Sequence, residues 1–357
     1  MKIITIFGTR PEIIRLSCVI PKLDKYCKHL LVYTGQNYTT NLKDIFFNEM
    51  QIRKPDFDFS ICEKSMSAQI AKIFIKSEEL FEREKPDAIL ILGDTNSGLS
   101  SFVAKRMGIK VYHMEAGNRC FDNSVPEEVN RKVIDHCSNI LMPYTQNSKA
   151  NLIKEGISQD KIFVTGNPIN EVIITYYNEI NTSNILEKLK IIPRQYILAT
   201  MHRAENVDIP SRLTAIIESL SAVSRQFGKQ VIVSTHPRTR EKISKLEFEI
   251  ASTVSFLDPF GFFDFVKLEK EALCVISDSG TVQEECCILK IPNITIRDNT
   301  ERPETIEVGS NILVGVAKES VCRGVSIVTQ NNISWNPPLE YQIQDVSSII
   351  LKIILGK

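Results

Sequence analysis

The chain has 357 residues, 43% of them hydrophobic and 24% charged, ordinary proportions for a globular protein of about two domains. Its 43 basic and 43 acidic side chains cancel; this removes the overall basic footprint of a nucleic-acid binder while leaving room for a local site that holds a small anion. No apolar run approaches the roughly 18 residues of a spanning helix, and the nine cysteines include no C-x-x-C pair, so neither a membrane span, a disulfide framework nor a zinc site is expected. The opening stretch runs into Gly8-Thr9-Arg10-Pro11 too early for a signal h-region. The sequence therefore reads as a reduced, cytoplasmic chain, with Cys286-Cys287 as two small buried residues.

In chain order, short β-branched runs alternate with helical patterns. Residues 3–7 form an apolar run ending in Gly8, 11–27 carry apolar residues at helical spacing, and 30–33 stop at Thr34-Gly35. Residues 88–92 run into Gly93-Asp94 and 111–114 into Glu115-Ala116-Gly117, followed by strands at 140–142 and 162–164. Uninterrupted apolar strands separated by helices predict a parallel sheet covered on both faces. After a polar segment, 178–193, the rhythm restarts with strands at 196–200, 230–234, 253–256, 273–276, 294–296 and 312–314, and helices at 210–227, 262–271 and 281–289. Residues 344–355 form an amphipathic helix whose apolar face needs a partner. The expected fold is α/β: two Rossmann-like doubly wound domains with a border near residue 168.

Ligands of open α/β sheets lie beyond the carboxyl ends of the strands. Nearly every unusual polar cluster here follows a predicted strand: Gly8-Thr9-Arg10, Gly93-Asp94-Thr95, Glu115 to Arg119, His202-Arg203, His236-Pro237-Arg238 and Asp278-Ser279-Gly280. That coincidence in both halves predicts one interdomain cleft. Gly8 to Glu12 joins strand to helix, with Pro11 suited to the first turn and Arg10 beside exposed amides, an anion site or a plain turn. Neither G-x-G-x-x-G nor a Walker loop occurs, which disfavours NAD, FAD and P-loop chemistry.

Ser279, Gly280 and Thr281 offer hydroxyls and amides to a phosphate. Glu285, a helical turn on, is placed to accept from ribose hydroxyls. Asp278 and Glu284 serve equally well as helix-start acids. His202 and Arg203 would offset charge on a leaving diphosphate, whereas His29, His113 and His136 read as structural or surface residues. Asp94, Glu115, Glu127 and Glu128 gather carboxylates whose pKa values would separate beside one anionic ligand, which sets up acid and base roles; for Glu127 and Glu128 helix-dipole complementation is the plainer reading.

Gly8-Thr-Arg-Pro-Glu12, Thr34-Gly-Gln36, Gly93-Asp-Thr95, Glu115-Ala-Gly117, Pro126-Glu-Glu-Val-Asn-Arg131, Val164-Thr-Gly-Asn167, His202-Arg-Ala-Glu-Asn206, Asp278-Ser-Gly280, Gln283-Glu-Glu285 and Thr300-Glu-Arg-Pro-Glu304 together resemble the non-hydrolysing UDP-N-acetylglucosamine 2-epimerase family, in family order over about residues 1–315. The resemblance implies a GT-B-like pair of Rossmann-like domains, 1–168 joined by the C-terminal helix 344–357 and a UDP-binding 169–343, working as a cytoplasmic homodimer without metal or other cofactor. It implies inversion at C2 of a UDP-sugar by elimination of UDP to a 2-acetamidoglucal and re-addition, yielding a precursor of surface polysaccharide. By the resemblance, catalysis maps onto Asp94, Glu115, Glu127 and His202, and substrate contacts onto Arg10, Arg15, Phe265, Ser279, Gly280, Thr281, Glu285 and Arg302.

Departures from the family pattern fall at Arg15, where Lys is usual, at Thr281, at Cys286-Cys287, and at Gln36-Asn37-Tyr38, where the regulatory site has Gln-His-Arg. Several strings, among them 258–263 and 279–287, look more like a subgroup acting on UDP-2-acetamido-2,6-dideoxy-L-hexoses, on the route to UDP-N-acetyl-L-fucosamine. The alternatives are a glycosyltransferase of the same architecture and a nucleotide-sugar-binding regulator without catalysis.

Overall fold

A computed structural model of the protein describes residues 1–35, 47–63, 65–123, 125–246, 250–330 and 334–356. The chain divides into two compact units, one of residues 1–175 with 339–357 and one of 176–338. Gln36 and the 36–38 motif lie outside the described residues.

The first unit is built on a six-stranded sheet of β1 (Lys2–Phe7), β2 (Lys28–Tyr33), β3 (Phe57–Asp58), β4 (Ala88–Leu92), β5 (Lys110–Met114) and β6 (Ile140–Met142). Its order is β3-β2-β1-β4-β5-β6, and all pairs are parallel. The second unit holds β7 (Tyr196–Met201), β8 (Gln230–Thr235), β9 (Val254–Leu257), β10 (Val275–Ser277), β11 (Asn293–Thr295) and β12 (Asn311–Leu313), ordered β12-β11-β10-β7-β8-β9 and again parallel throughout. Counted from its own first strand this is the same order, that of the dinucleotide-binding Rossmann sheet. Each sheet therefore has its topological switch between two central strands, β1 and β4 in one, β7 and β10 in the other.

Strand alternation builds the core on both faces of each sheet. In the second unit Ile197, Ala199 and Met201 of β7 join one apolar cluster with helix Pro210–Phe227. Tyr196 and Leu198 of the same strand join another, with helices Phe262–Glu271 and Gly280–Leu289. Covering both faces is what permits strands such as Ala88–Leu92 to be apolar at every position.

The elements differ from the sequence reading in particular places. The helix expected over 11–27 is two helices, Arg10–Leu16 and Val19–Tyr26. Pro21 has no N–H for the Ser17 carbonyl and its ring crowds that carbonyl, so the helix breaks there. Residues 162–164 make only one isolated bridge, Leu141 to Ile162. The polar 178–193 segment holds helices Tyr177–Thr182 and Ile185–Leu189, and Ile180, Ile185 and Ile191 are buried in the second unit.

The border falls after Thr175 and not near 168, because helix Pro168–Thr175 buries Ile169, Val172 and Ile173 and packs on helices Arg10–Leu16 and Val346–Gly356. The returning segment starts at Leu339, ahead of the expected 344. It docks where Asn167 donates its amide to Glu340 O and Asn170 Nδ2 donates to Ile343 O. Gly166 permits this approach, since at φ +86° a Cβ would lie 2.8 Å from Glu340 O.

Candidate active site

In the first unit the polar groups gather at the carboxyl ends of β1, β4 and β5. Helix Arg10–Leu16 opens with a capping box: Gly8 N, Thr9 N and Thr9 Oγ1 donate to Glu12 Oε2 at 3.1, 2.7 and 2.7 Å. Thr95 Oγ1, from the turn after β4, donates to Glu12 Oε1 at 3.2 Å. One buried carboxyl thus ties the Arg10 turn to the Asp94 turn across the switch point. Burial pushes the Glu12 pKa up to about 7 against the lowering effect of those hydrogen bonds. Arg10 is half-buried at the helix start.

Glu115 follows β5 with φ +65°, the left-handed region that costs a residue with a Cβ energy. Its carboxylate is buried against Arg15 in an ion pair, accepts from Asn118 Nδ2 at 3.3 Å, and the Arg15 guanidinium lies over the Tyr144 ring at 5.8 Å. Asp94 is half-exposed and paired with Arg131, whose Nε donates to Oδ2 at 2.8 Å; Asn130 Nδ2 donates to the Asp94 carbonyl at 3.0 Å. Glu127 stands half-exposed at the start of helix Pro126–Cys137.

Glu128 is a different kind of carboxylate. It is buried, accepts from the Cys120 and Phe121 amides at 3.1 Å each and pairs with Arg131 at 2.8 Å. Burial works to raise its pKa, but the Cys120 amide and Arg131 outweigh it and hold the group below the usual carboxylate range.

A support layer lies beneath. His113 is buried, with Nδ1 2.8 Å from Asp135 Oδ1 and Nε2 2.9 Å from Gly93 O. Asp135 Oδ2 accepts from Gly117 N at 3.2 Å and pairs with Arg119 at 2.8 Å. This array fixes Gly93, the residue before Asp94, and Gly117, two residues after Glu115. The sequence reading of His113 as structural holds, but its partners Asp135 and Arg119 had no signal, because the pairing is set by helix Pro126–Cys137 lying across the strand ends.

In the second unit, fully buried Asp278, at the end of β10, gathers the turn after β7. It accepts from His202 N at 3.1 Å, Arg203 N at 3.1 Å and Asn206 Nδ2 at 3.1 Å. Asp278 is therefore a clasp across that unit's switch point, and the N-cap is Ser279. The His202 side chain is 48% exposed, with Nδ1 3.4 Å from Asp278 Oδ1. Gly280 begins helix Gly280–Leu289; a Cβ there would lie 2.7 Å from Glu301 Oε1. Thr281 is half-buried. The first amides of this helix, with the Ser279 hydroxyl, present the donors a phosphate needs.

Arg302 Nε donates to Glu284 in a buried ion pair, so Glu284 is a holder of Arg302 and not a dipole acid. Glu285 is buried and Phe265 half-buried, on facing helices. His236 is exposed and caps its own helix, accepting from Arg238 N at 3.3 Å. The Cys286 and Cys287 thiols are free and buried. No cluster of three or more His, Cys, Asp or Glu suited to a metal occurs among the described residues.

These are two Rossmann-like units, each with charged residues mounted on the turns that flank its switch point. The sequence profile of the UDP-N-acetylglucosamine 2-epimerase family matches residues 22–355. The chain is 40% identical over 357 residues to the UDP-N-acetylglucosamine 2-epimerase of Methanocaldococcus jannaschii, covering 95% of each. It is 34% identical to the UDP-2,3-diacetamido-2,3-dideoxy-D-glucuronate 2-epimerase of Pseudomonas aeruginosa, covering 90% of each. The crystal structure of the M. jannaschii enzyme in complex with UDP-GlcNAc and UDP superposes with a TM-score of 0.94 at 39% identity, covering all of both chains. The chain belongs to the UDP-N-acetylglucosamine 2-epimerase family.

Proposed function

We propose that the protein inverts C2 of UDP-N-acetylglucosamine without hydrolysing it, supplying a precursor of surface polysaccharide. The observation that supports this best is the pairing of two unlike strand-end sets in one chain: donors for a diphosphate in the second unit, arginine-paired carboxylates in the first. Ser279, Gly280 and Thr281 would hold the diphosphate, with His202, Arg10 and Arg302 as its charge partners. Phe265 would receive the base and Glu285 the ribose. A carboxylate among Asp94, Glu115 and Glu127 takes the C2 proton while the diphosphate leaves, giving the 2-acetamidoglucal; a second returns a proton to C2 on the other face as UDP adds back. The ion pairs with Arg15 and Arg131 hold the Glu115 and Asp94 carboxylates in place, and the reaction needs no redox cofactor because no net oxidation occurs.

The experiment is incubation with UDP-N-acetylglucosamine in deuterated water, with the 6-deoxy-L-hexose derivative and the diacetamido glucuronate in parallel. Deuterium at C2 of the epimer is the expected outcome, and the sugar with the highest kcat/KM is the substrate. Epimerisation that leaves C2 undeuterated overturns elimination; binding of all three sugars without turnover overturns the epimerase reading.

We further propose a cytoplasmic homodimer. Ile75, Phe102, Val129 and Val133 are exposed apolar side chains on three neighbouring helices of the first unit, Met66–Glu84, Ser100–Arg106 and Pro126–Cys137, which supports a self-association surface. The free cysteines support a reducing compartment. Sedimentation at micromolar concentration tests the assembly, a monomer being the contrary result.

A further inference from the structure

Helices Phe262–Glu271 and Gly280–Leu289 pack on each other, and two carboxyl groups meet at their contact. Glu269 stands one turn beyond Phe265 on the same helix face and is completely enclosed; Glu285, from the facing helix, is 3% exposed. The two carboxyls lie within hydrogen-bonding reach of each other. Neither Glu269 oxygen meets an N–H or hydroxyl donor among the described residues. Burial and Glu285 are what act on the Glu269 carboxyl, and the other titratable groups beside it are a thiol and a phenol: Cys286, and Tyr196, whose hydroxyl donates to Leu268 O at 2.6 Å. None of these is a cation. As an anion Glu269 would forfeit its hydration, find no donor and face a second carboxyl, so it holds a proton. Burial first, and the Glu285 charge second, raise the Glu269 pKa well above the carboxylate range, which puts that proton on the deeper partner.

We propose that Glu269 is a positioning residue: its carboxylic O–H donates to Glu285 and holds that carboxylate in the rotamer that accepts both ribose hydroxyls of the nucleoside diphosphate. The inference rests on the reading of Glu285 as the ribose contact.

The test compares binding of UDP and 2′,3′-dideoxy-UDP by calorimetry in wild type, Glu269→Gln and Glu269→Met. Wild type should favour UDP by roughly tenfold or more, the range of a hydrogen bond to a charged group. Glu269→Gln supplies an amide N–H in place of the O–H and should keep that preference. Glu269→Met fills the space without a donor and should collapse it severalfold while binding dideoxy-UDP as before. An unchanged ratio in folded Glu269→Met overturns the proposal. A second measurement stands if that variant does not fold: infrared spectra at neutral pH should show a protonated carboxylic acid band that Glu269→Gln removes, and absence of the band in wild type overturns the proposal. Wild type that binds no UDP removes the nucleotide site itself, a result distinct from UDP binding with no preference for the ribose hydroxyls, which removes only the Glu285 contact and with it this role of Glu269.

Discussion

Glu115 carries two costs, a left-handed backbone worth roughly 1–2 kcal/mol and a buried charge, and the Arg15 pair offsets the second. Residues held this way persist where the surroundings over-determine them, as at reacting sites. Glu115→Gln should lower kcat by about a hundredfold or more while the dissociation constant for UDP stays put; near-normal turnover would remove Glu115 from the chemistry. The same comparison applies to Glu127→Gln. Glu115 stood out in the sequence as a candidate, since it is a carboxylate directly after an apolar strand and before Ala116-Gly117. Its partner did not, because Arg15 lies 100 residues away and only the β1-β4-β5 order brings the two turns together.

Glu12 gives a prediction with a sign. The folded carboxyl keeps its proton to about pH 7, the unfolded one to about 4.5, so between those values the folded state binds more protons. Stability should then fall as pH rises from about 4.5 to about 7, by roughly 3 kcal/mol at about 1.4 kcal/mol per unit. Glu12→Gln keeps the acceptor for Gly8 and Thr9 and offers Thr95 an N–H, so urea midpoints taken across this window should slope less than in wild type. Parallel pH profiles for the two proteins would mean that Glu12 titrates normally.

At the scale of elements, the turns that carry the site are built on close approaches. Gly117 has φ +80°, and a Cβ there would lie 2.3 Å from Ser148 O in helix Gln146–Lys154. Gly117→Ala must therefore move that helix or the turn that presents Glu115. It should lower the urea midpoint and cost more stability than the roughly 1–2 kcal/mol expected from the backbone alone, and depress kcat with it; an unshifted midpoint would show the turn to be pliable. Among the elements, the fully apolar strands such as Ala88–Leu92 were legible because a two-sided parallel sheet demands such runs. The two-residue β3 was not, since Phe57–Asp58 is too short for any pattern. Helices Tyr177–Thr182 and Ile185–Leu189 escaped because they are only six and five residues long, too short to show a helical period.

At the scale of the whole molecule, the first unit is discontinuous in sequence and the second continuous. Helix Val346–Gly356 buries Val346, Ile350 and Ile354 against the first unit, and the Ser347 amide donates to Glu171 at 2.8 Å. Three buried aliphatic side chains amount to roughly 5 kcal/mol or more, comparable with the entire stability of a domain. Removing residues 346–357 should accelerate amide hydrogen exchange throughout the first unit and leave strands β7 to β12 protected; uniform protection in both would mean that the helix contributes little.

The discontinuity also sets an order of events during synthesis. Every residue of the second unit has been polymerised before Leu339 is added, whereas the first unit waits for a segment made more than 160 residues after its own Thr175. On the ribosome the second unit can mature early, and the first stays unfinished until its closing helix emerges. On the proposed function, a premature stop near residue 338 would leave the proposed diphosphate donors Ser279, Gly280 and Thr281 in a finished unit and the proposed carboxylates in an unfinished one.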